Sequence, residues 1–171
     1  MMKSRYIKIG LAALVVLAVF AVLTLHSTAI AQEVQWGKNL VWRARGFAVT
    51  RDENITSRQL VLIGMRFEAQ LVNRTIRLHV VNGTIKIGDV KYTVTEGVGG
   101  IGRIHRVDGY VVGLMVVRGT AVNEYGEQLT FKMFGRVIYA PDKHAAYTSM
   151  MGFIRGESEK YFLILEGLIG G

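Results

Sequence analysis

The chain has no cysteine. Disulfides, thiolate metal sites, cysteine nucleophiles and lipid-bearing cysteines are therefore excluded. It has one proline, Pro141, so no proline-rich linker divides its 171 residues. Clustered cations are absent too. The basic residues are spread singly, with no recognition helix, which is not the pattern of a nucleic-acid-binding protein. What is abundant is apolar residues and glycine. Half of the residues are hydrophobic, which argues against disorder, and 20 are glycine.

The N-terminal stretch differs from the rest. Lys3, Arg5 and Lys8 precede an uncharged apolar run from Ile9 to Leu25, and "HSTAIAQ" follows with Ala29 and Ala31 in an A-x-A arrangement. That order of basic, apolar and small residues is a secretory signal, with cleavage expected between Ala31 and Gln32. As a helix the run is about 26 Å long, slightly short for a comfortable membrane span. An uncleaved anchor is the second reading. A third rests on "YIKIGLAALVV", which resembles a type IV pilin or archaellin leader; that resemblance implies cleavage after Gly10. The stretch departs from the motif: Ile9 stands where a charge is usual, no glutamate follows, and the apolar helix is shorter than a pilin stalk. The expected organisation is residues 1–31 as signal peptide or anchor and 32–171 as one extracytoplasmic domain, secreted or held at the membrane.

Removing residues 1–31 removes three basic residues and no acidic ones, which lowers the formal charge from +8 to +5. This mild excess favours anionic surfaces such as lipid headgroups or acidic glycans. Three N-x-S/T sequons, at Asn54, Asn73 and Asn82, fall in expected turns and are candidate N-glycosylation sites on an exported chain. Sequons without cysteine fit a surface protein of an archaeon.

Beyond residue 40 the pattern is of strands. Val61, Ile63, Met65, Phe67, Ala69 and Leu71 alternate with Arg66, Glu68 and Gln70, the period-two signature of a half-buried strand. Turn signals punctuate the chain at Asn73-Arg74, Asn82-Gly83, Gly88-Asp89, Asp108-Gly109, "NEYG", "APDKH" and "GESE". Asn82-Gly83 reads as a type I′ hairpin turn, and about ten strand segments result. Short connections without crossover helices mean antiparallel pairing. Glycines inside strands (Gly46, Gly64, Gly113, Gly135, Gly152, Gly167) mark bends. The expected fold is all-β, an antiparallel meander closing into a small barrel or a β-sandwich, preceded by the N-terminal hydrophobic helix.

The glycine-rich "TVTEGVGGIGRIH" lacks the helix that a phosphate loop requires, and no Lys-Ser/Thr follows Gly102. It reads as a flexible bend between strands. No catalytic constellation emerges. His79, His105 and His144 stand at no metal-ligand spacing. The pairs Glu124/Glu127 and Glu157/Glu159 share exposed turns, and Ser149 lacks a nucleophile elbow. Glu166 is expected to reach water from a strand end, with a polar handle in a ligand cavity as the sharper alternative. Trp42 is expected in the core; Trp36 and Trp42 with Arg43 and Arg45 at a membrane interface is the alternative.

The sequence therefore points to a non-catalytic exported β-domain acting as a structural or interaction module, with no metal and no cofactor. Its expected partners are an envelope protein or glycan, further copies of itself, or an anionic membrane surface, with no nucleic acid. Gln32–Lys38 would be free to add as a strand to a neighbour's sheet. A small-ligand-binding barrel is the alternative, tested by whether its interior is open or filled; Phe131, Met133 and Phe153 favour filling. A pilin-like or membrane-anchored accessory subunit is a further one. An enzyme would need His105 or His144 brought to a carboxylate across a cleft. The signal reading predicts that the N-terminal peptide of the native protein begins at Gln32; mass spectrometry finding Met1 or Met2 there would establish an anchor, and Leu11 a pilin-type leader.

Overall fold

The computed structural model describes residues 39–52, 55–141, 144–157 and 159–170. The N-terminal apolar segment, the Ala31/Gln32 junction, Trp36 and the Asn54 sequon lie outside them. The described residues form eight strands: β1 (Asn39–Asp52), β2 (Ile55–Val72), β3 (Thr75–Ile87), β4 (Val90–Val107), β5 (Tyr110–Asn123), β6 (Gln128–Ala140), β7 (Ala145–Arg155) and β8 (Lys160–Gly170). Each pairs antiparallel with the next, and β1 pairs with β8 from Val41↔Gly170 to Val49↔Phe162. The meander is a closed barrel, not a sandwich. Closure needs nothing from residues 1–38, because every strand finds both neighbours within 39–170.

Alternation decides what fills the barrel. Inward positions of β2 (Val61, Ile63, Met65, Phe67), β6 (Leu129, Phe131, Met133, Val137) and β8 (Tyr161, Leu163, Leu165, Ile169) are all buried. Trp42 and Phe67 are fully buried, with ring centroids 6.4 Å apart. Each large side chain buried this way contributes roughly 1.5–3 kcal/mol. The core therefore holds Trp42, as expected, and the buried indole Nε1 donates to Thr148 Oγ1 at 3.0 Å. Phe131 and Met133 fill the interior, but Phe153 points outward and is more than half exposed.

Inward glycines let the sheet coil. A Cβ on Gly46 would strike the carbonyl oxygen of Ile164, and one on Gly135 that of Ser149 and, at 2.7 Å, Cα of Met150. The backbone of the adjoining strand passes where a side chain would stand. Gly64, read as a bend, instead faces outward, and an added Cβ there meets only Thr84 Oγ1 at 3.7 Å.

Two expected loops are strand. Asn82-Gly83 lies inside β3: the register slips between Arg66 and Phe67, whose partners are Asn82 and Val80, leaving Val81 as an extra residue. That bulge shifts the inward positions from Ile76, Leu78 and Val80 to Gly83, Ile85 and Ile87. A bulge and a turn both reset the alternation, so the pattern alone reads the same. Likewise Gly97–Gly102 lies within β4, paired to β5 through Gly97↔Gly119 and Gly99↔Val117. These two mergers reduce the expected ten segments to eight strands. The Asn73-Arg74 and Asp108-Gly109 turns form as read, with φ of 47° and 63°, then 48° and 84°.

Replacing Gly135 by Ala should destabilise the barrel by roughly 3 kcal/mol, because backbone must move. Gly64→Ala should be neutral or stabilising by about 0.5 kcal/mol. Urea unfolding midpoints of the two variants separate these; equal midpoints would remove the close-approach argument.

Candidate functional site

A meander places alternate turns at opposite ends. One end carries the β3–β4, β5–β6 and β7–β8 turns, and with them exposed Asp89, Glu124, Glu127, Glu157 and Glu159. The other carries the β2–β3, β4–β5 and β6–β7 turns, with Arg74, Arg103, Arg106, His105 and His144 against Asp108. The acidic turns are interleaved with Lys86, Lys91, Arg155 and Lys160, and Lys86 lies 3.9 Å from Asp89.

The acidic end holds a depression of about 360 Å³. Its floor is apolar: Ile87, Leu129 and Ile154, the last inward side chains of β3, β6 and β7. Its wall is polar: Gln59, Tyr92, Glu127, Gln128, Glu157, Glu159 and Tyr161. An apolar floor with a few convergent polar groups is the composition of a small-molecule site, and its volume lies at the lower edge of that range.

The local sequence fixes this wall. Asn123, buried at the end of β5, accepts from the backbone N–H groups of Tyr125 (3.0 Å) and Glu127 (2.9 Å) through Oδ1, and its Nδ2 donates to the Glu127 carboxylate. This Asx-type closure sets the β5–β6 turn and aims Glu127 across the mouth. The Tyr161 hydroxyl donates to the Glu159 carboxylate. Burial, and then the charges of Glu127 and Glu159, push the Tyr92 phenol above its ordinary value of 10.0. At neutral pH it is an O–H donor. The mouth therefore offers carboxylate acceptors and one phenolic donor above a hydrocarbon floor.

The other sequence candidates lie elsewhere. His79 is exposed on the outer face of β3, the His105 Nδ1–H donates to the Arg103 carbonyl oxygen at 2.9 Å, and His144 sits in the β6–β7 turn. His105 and His144 are at the end opposite the glutamate pairs. Among the described residues no group of histidine, aspartate and glutamate is placed to hold a metal ion. Gly97–Gly102 presents no free amide cradle, because its backbone is laddered to β5 and, at Gly99 and Gly100, also to β3. Glu166 is exposed on the outer face of β8, in register with Arg45 and Ser149, and not in the interior. Asn73 and Asn82 are both exposed. No helix among the described residues is long and apolar enough to cross a membrane.

Sequence reasoning missed Tyr92, Tyr161 and Gln59. The available signal was two tyrosines within three residues of turns rich in glutamate and aspartate, one of them (Tyr161) on the inward phase of its strand. It also missed how apolar the outer surface is, although "YTSMMGF" and "KYFLIL" run apolar on both phases.

The fold is a closed eight-stranded antiparallel barrel with a polar-rimmed mouth at the end of the β3–β4, β5–β6 and β7–β8 turns. No family model matches the sequence, and no curated protein is similar to it. Among solved structures the chain is similar to DynF from the dynemicin biosynthesis pathway of Micromonospora chersina, with a TM-score of 0.52 at 10% identity over 78% of this chain and 79% of that one. At that identity the likeness is one of fold.

Tyr92 holds its proton more tightly in the folded chain than in the unfolded one. Stability from this source is full below the ordinary value of 10.0 and is lost as pH rises through the raised folded value. Urea midpoints measured across that range should fall, and fall less in Tyr92→Phe; identical alkaline slopes would show that the phenol carries no such coupling.

Proposed function

We propose that this chain is a non-catalytic small-ligand-binding β-barrel, exported and either secreted or held at the membrane by its N-terminal segment. The single observation that carries the reading is the mouth: a polar rim of Tyr92, Glu127, Glu159 and Tyr161 over an apolar floor. The fold likeness to DynF supports a barrel and no more.

The rim specifies the ligand's chemistry. Its polar end would be a hydrogen-bond donor or a cation, answering Glu127, Glu157 and Glu159, and its body apolar. Beyond Ile87, Leu129 and Ile154 the inward side chains are apolar and buried, and several are adaptable. Met65, Met115, Met133 and Met150 are buried, and unbranched thioethers shift between rotamers at low cost. An apolar tail longer than the depression would enter by displacing methionines. A core of buried apolar side chains also fits a purely structural module, and the two readings differ in whether the mouth takes up a ligand.

The test is titration of the full chain with N-phenyl-1-naphthylamine, an apolar aromatic amine, read by energy transfer from tryptophan. Saturable uptake with one site per chain is expected. Leu129→Trp, which fills the depression, should abolish it while leaving the far-ultraviolet circular dichroism unchanged. Unsaturable uptake, or uptake unaffected by Leu129→Trp, would overturn the reading in favour of the structural module.

A further inference from the structure

The outer surface of a soluble barrel is normally its polar face, because the inward phase takes the apolar residues. Here one ring of outward positions is apolar across six strands in succession. Val116 on β5 is in register with Phe134 on β6, Phe134 with Met151 on β7, Met151 with Ile164 on β8, Ile164 with Phe47 on β1, and Phe47 with Leu60 on β2. All six are exposed. Beside the ring on β7 and β8, Phe153 and Phe162 pack edge to face at 5.4 Å, also on the outside. A contiguous apolar surface of this kind marks an interaction site.

The charges around it select the occupant. Between the turns, the outer faces of β6, β7, β8 and β1 carry Lys132, Arg136, Arg155, Lys160, Arg43 and Arg45, and a single carboxylate, Glu166. Arg43 and Arg45 line an outer depression together with Tyr147 and Leu168. A second copy docked on this face by a two-fold axis would set cations against cations. The chain's own Ile9–Leu25 segment is apolar all round and would keep one side in water. An anionic partner with an apolar interior meets both features.

We propose that the β6–β7–β8–β1 face docks on the surface of an anionic lipid bilayer, with its phenylalanine, methionine and isoleucine side chains among the upper acyl chains and its arginines and lysines at the headgroups. The composition is that of an interfacial segment, aromatic and apolar at the centre with cations at the edge. The barrel lies on the bilayer and does not cross it. Lys132 and Arg136 flank Phe134 one alternation step away on either side, about 7 Å along the strand, against an apolar band of about 25 Å in spanning barrels. The opposite side of the ring is mostly polar: β3 presents Arg77, His79, Asn82, Thr84 and Lys86 outward, together with Val81 at the bulge. Sequon residue Asn82 is thereby on the side facing away from lipid.

The absence of cysteine gives a direct test. Met151→Cys in the full chain, labelled with an environment-sensitive fluorophore, reports on the face; His79→Cys reports on the strand diametrically across the ring. Phosphatidylcholine vesicles containing phosphatidylglycerol should shift the Met151→Cys emission to the blue and leave His79→Cys unchanged, with little response to phosphatidylcholine alone. Lys132→Gln with Arg136→Gln should weaken the response roughly thirtyfold, at about 1 kcal/mol per cation. Ile164→Cys, on the neighbouring strand, repeats the measurement. An unshifted probe at both positions would overturn the proposal even if the chain binds vesicles through its N-terminal segment. An equal shift at His79→Cys, or on phosphatidylcholine alone, would also overturn it. A blue shift without vesicles that grows with protein concentration would assign the face to a second copy; one independent of concentration would assign it to the chain's own apolar segment.

Discussion

The pairing of β1 with β8 is the constraint on which everything else depends. An open eight-stranded sheet would leave two edges and one face to be covered; closure removes the edges and turns the apolar phase of every strand into a single core. Closing a ring of only eight strands demands strong coiling, and coiling brings backbone of one strand across another. Glycine at Gly46, Gly119, Gly135 and Gly152, all on the inward phase, makes that approach possible, since a Cβ at any of them would meet a neighbouring carbonyl oxygen. The core then forms around Trp42 and Phe67, and its one buried indole N–H is satisfied from β7 by Thr148. Satisfying that donor matters because an unpaired buried N–H costs about 1–3 kcal/mol.

Closure also fixes where chemistry is able to sit. The inward face of every strand is largely apolar and buried, so polar side chains gather at the barrel's ends, where the alternation runs out into turns. Here the glutamates gather at one end, among lysines, and His144 and the arginines of the β2–β3 and β4–β5 connections at the other. The acidic end combines Asn123-ordered geometry with Tyr92, Tyr161 and three glutamates over the end of the hydrophobic core at Ile87, Leu129 and Ile154. The raised Tyr92 phenol is a consequence of that crowding: burial and two carboxylates all disfavour the phenolate. The opposite end has His105 at the end of β4 and His144 in the β6–β7 turn.

The wall of the barrel has a second, independent property. Its inside is apolar because the core requires it. Its outside is apolar around much of one ring although those side chains remain about half exposed. Phe47 lies under the Arg58 guanidinium and Phe153 packs on Phe162, yet the ring as a whole leaves a contiguous apolar surface that a partner would account for. Mouth and wall are separate in space, one at the β3–β4, β5–β6 and β7–β8 turns and the other along the strands.

The sequence by itself determined the strands, most of the turns and the antiparallel order, because alternation and φ-positive turn residues act over a few neighbours. It determined that Trp42 is core and that Glu166 reaches solvent. It did not separate barrel from sandwich, since closure rests on β1 meeting β8, more than a hundred residues apart. It misassigned Asn82-Gly83 and the Gly97–Gly102 stretch, because a bulge and a turn both reset the alternation and only cross-strand pairing tells them apart. It pointed Phe153 inward, although outward is where the register with Phe162 places it. The mouth was invisible for the same reason: Gln59, Tyr92, Glu127 and Tyr161 come from four strands or their turns and meet only when the ring closes. What local chemistry dictates is legible residue by residue; what depends on which strands become neighbours was decided by the tertiary structure alone.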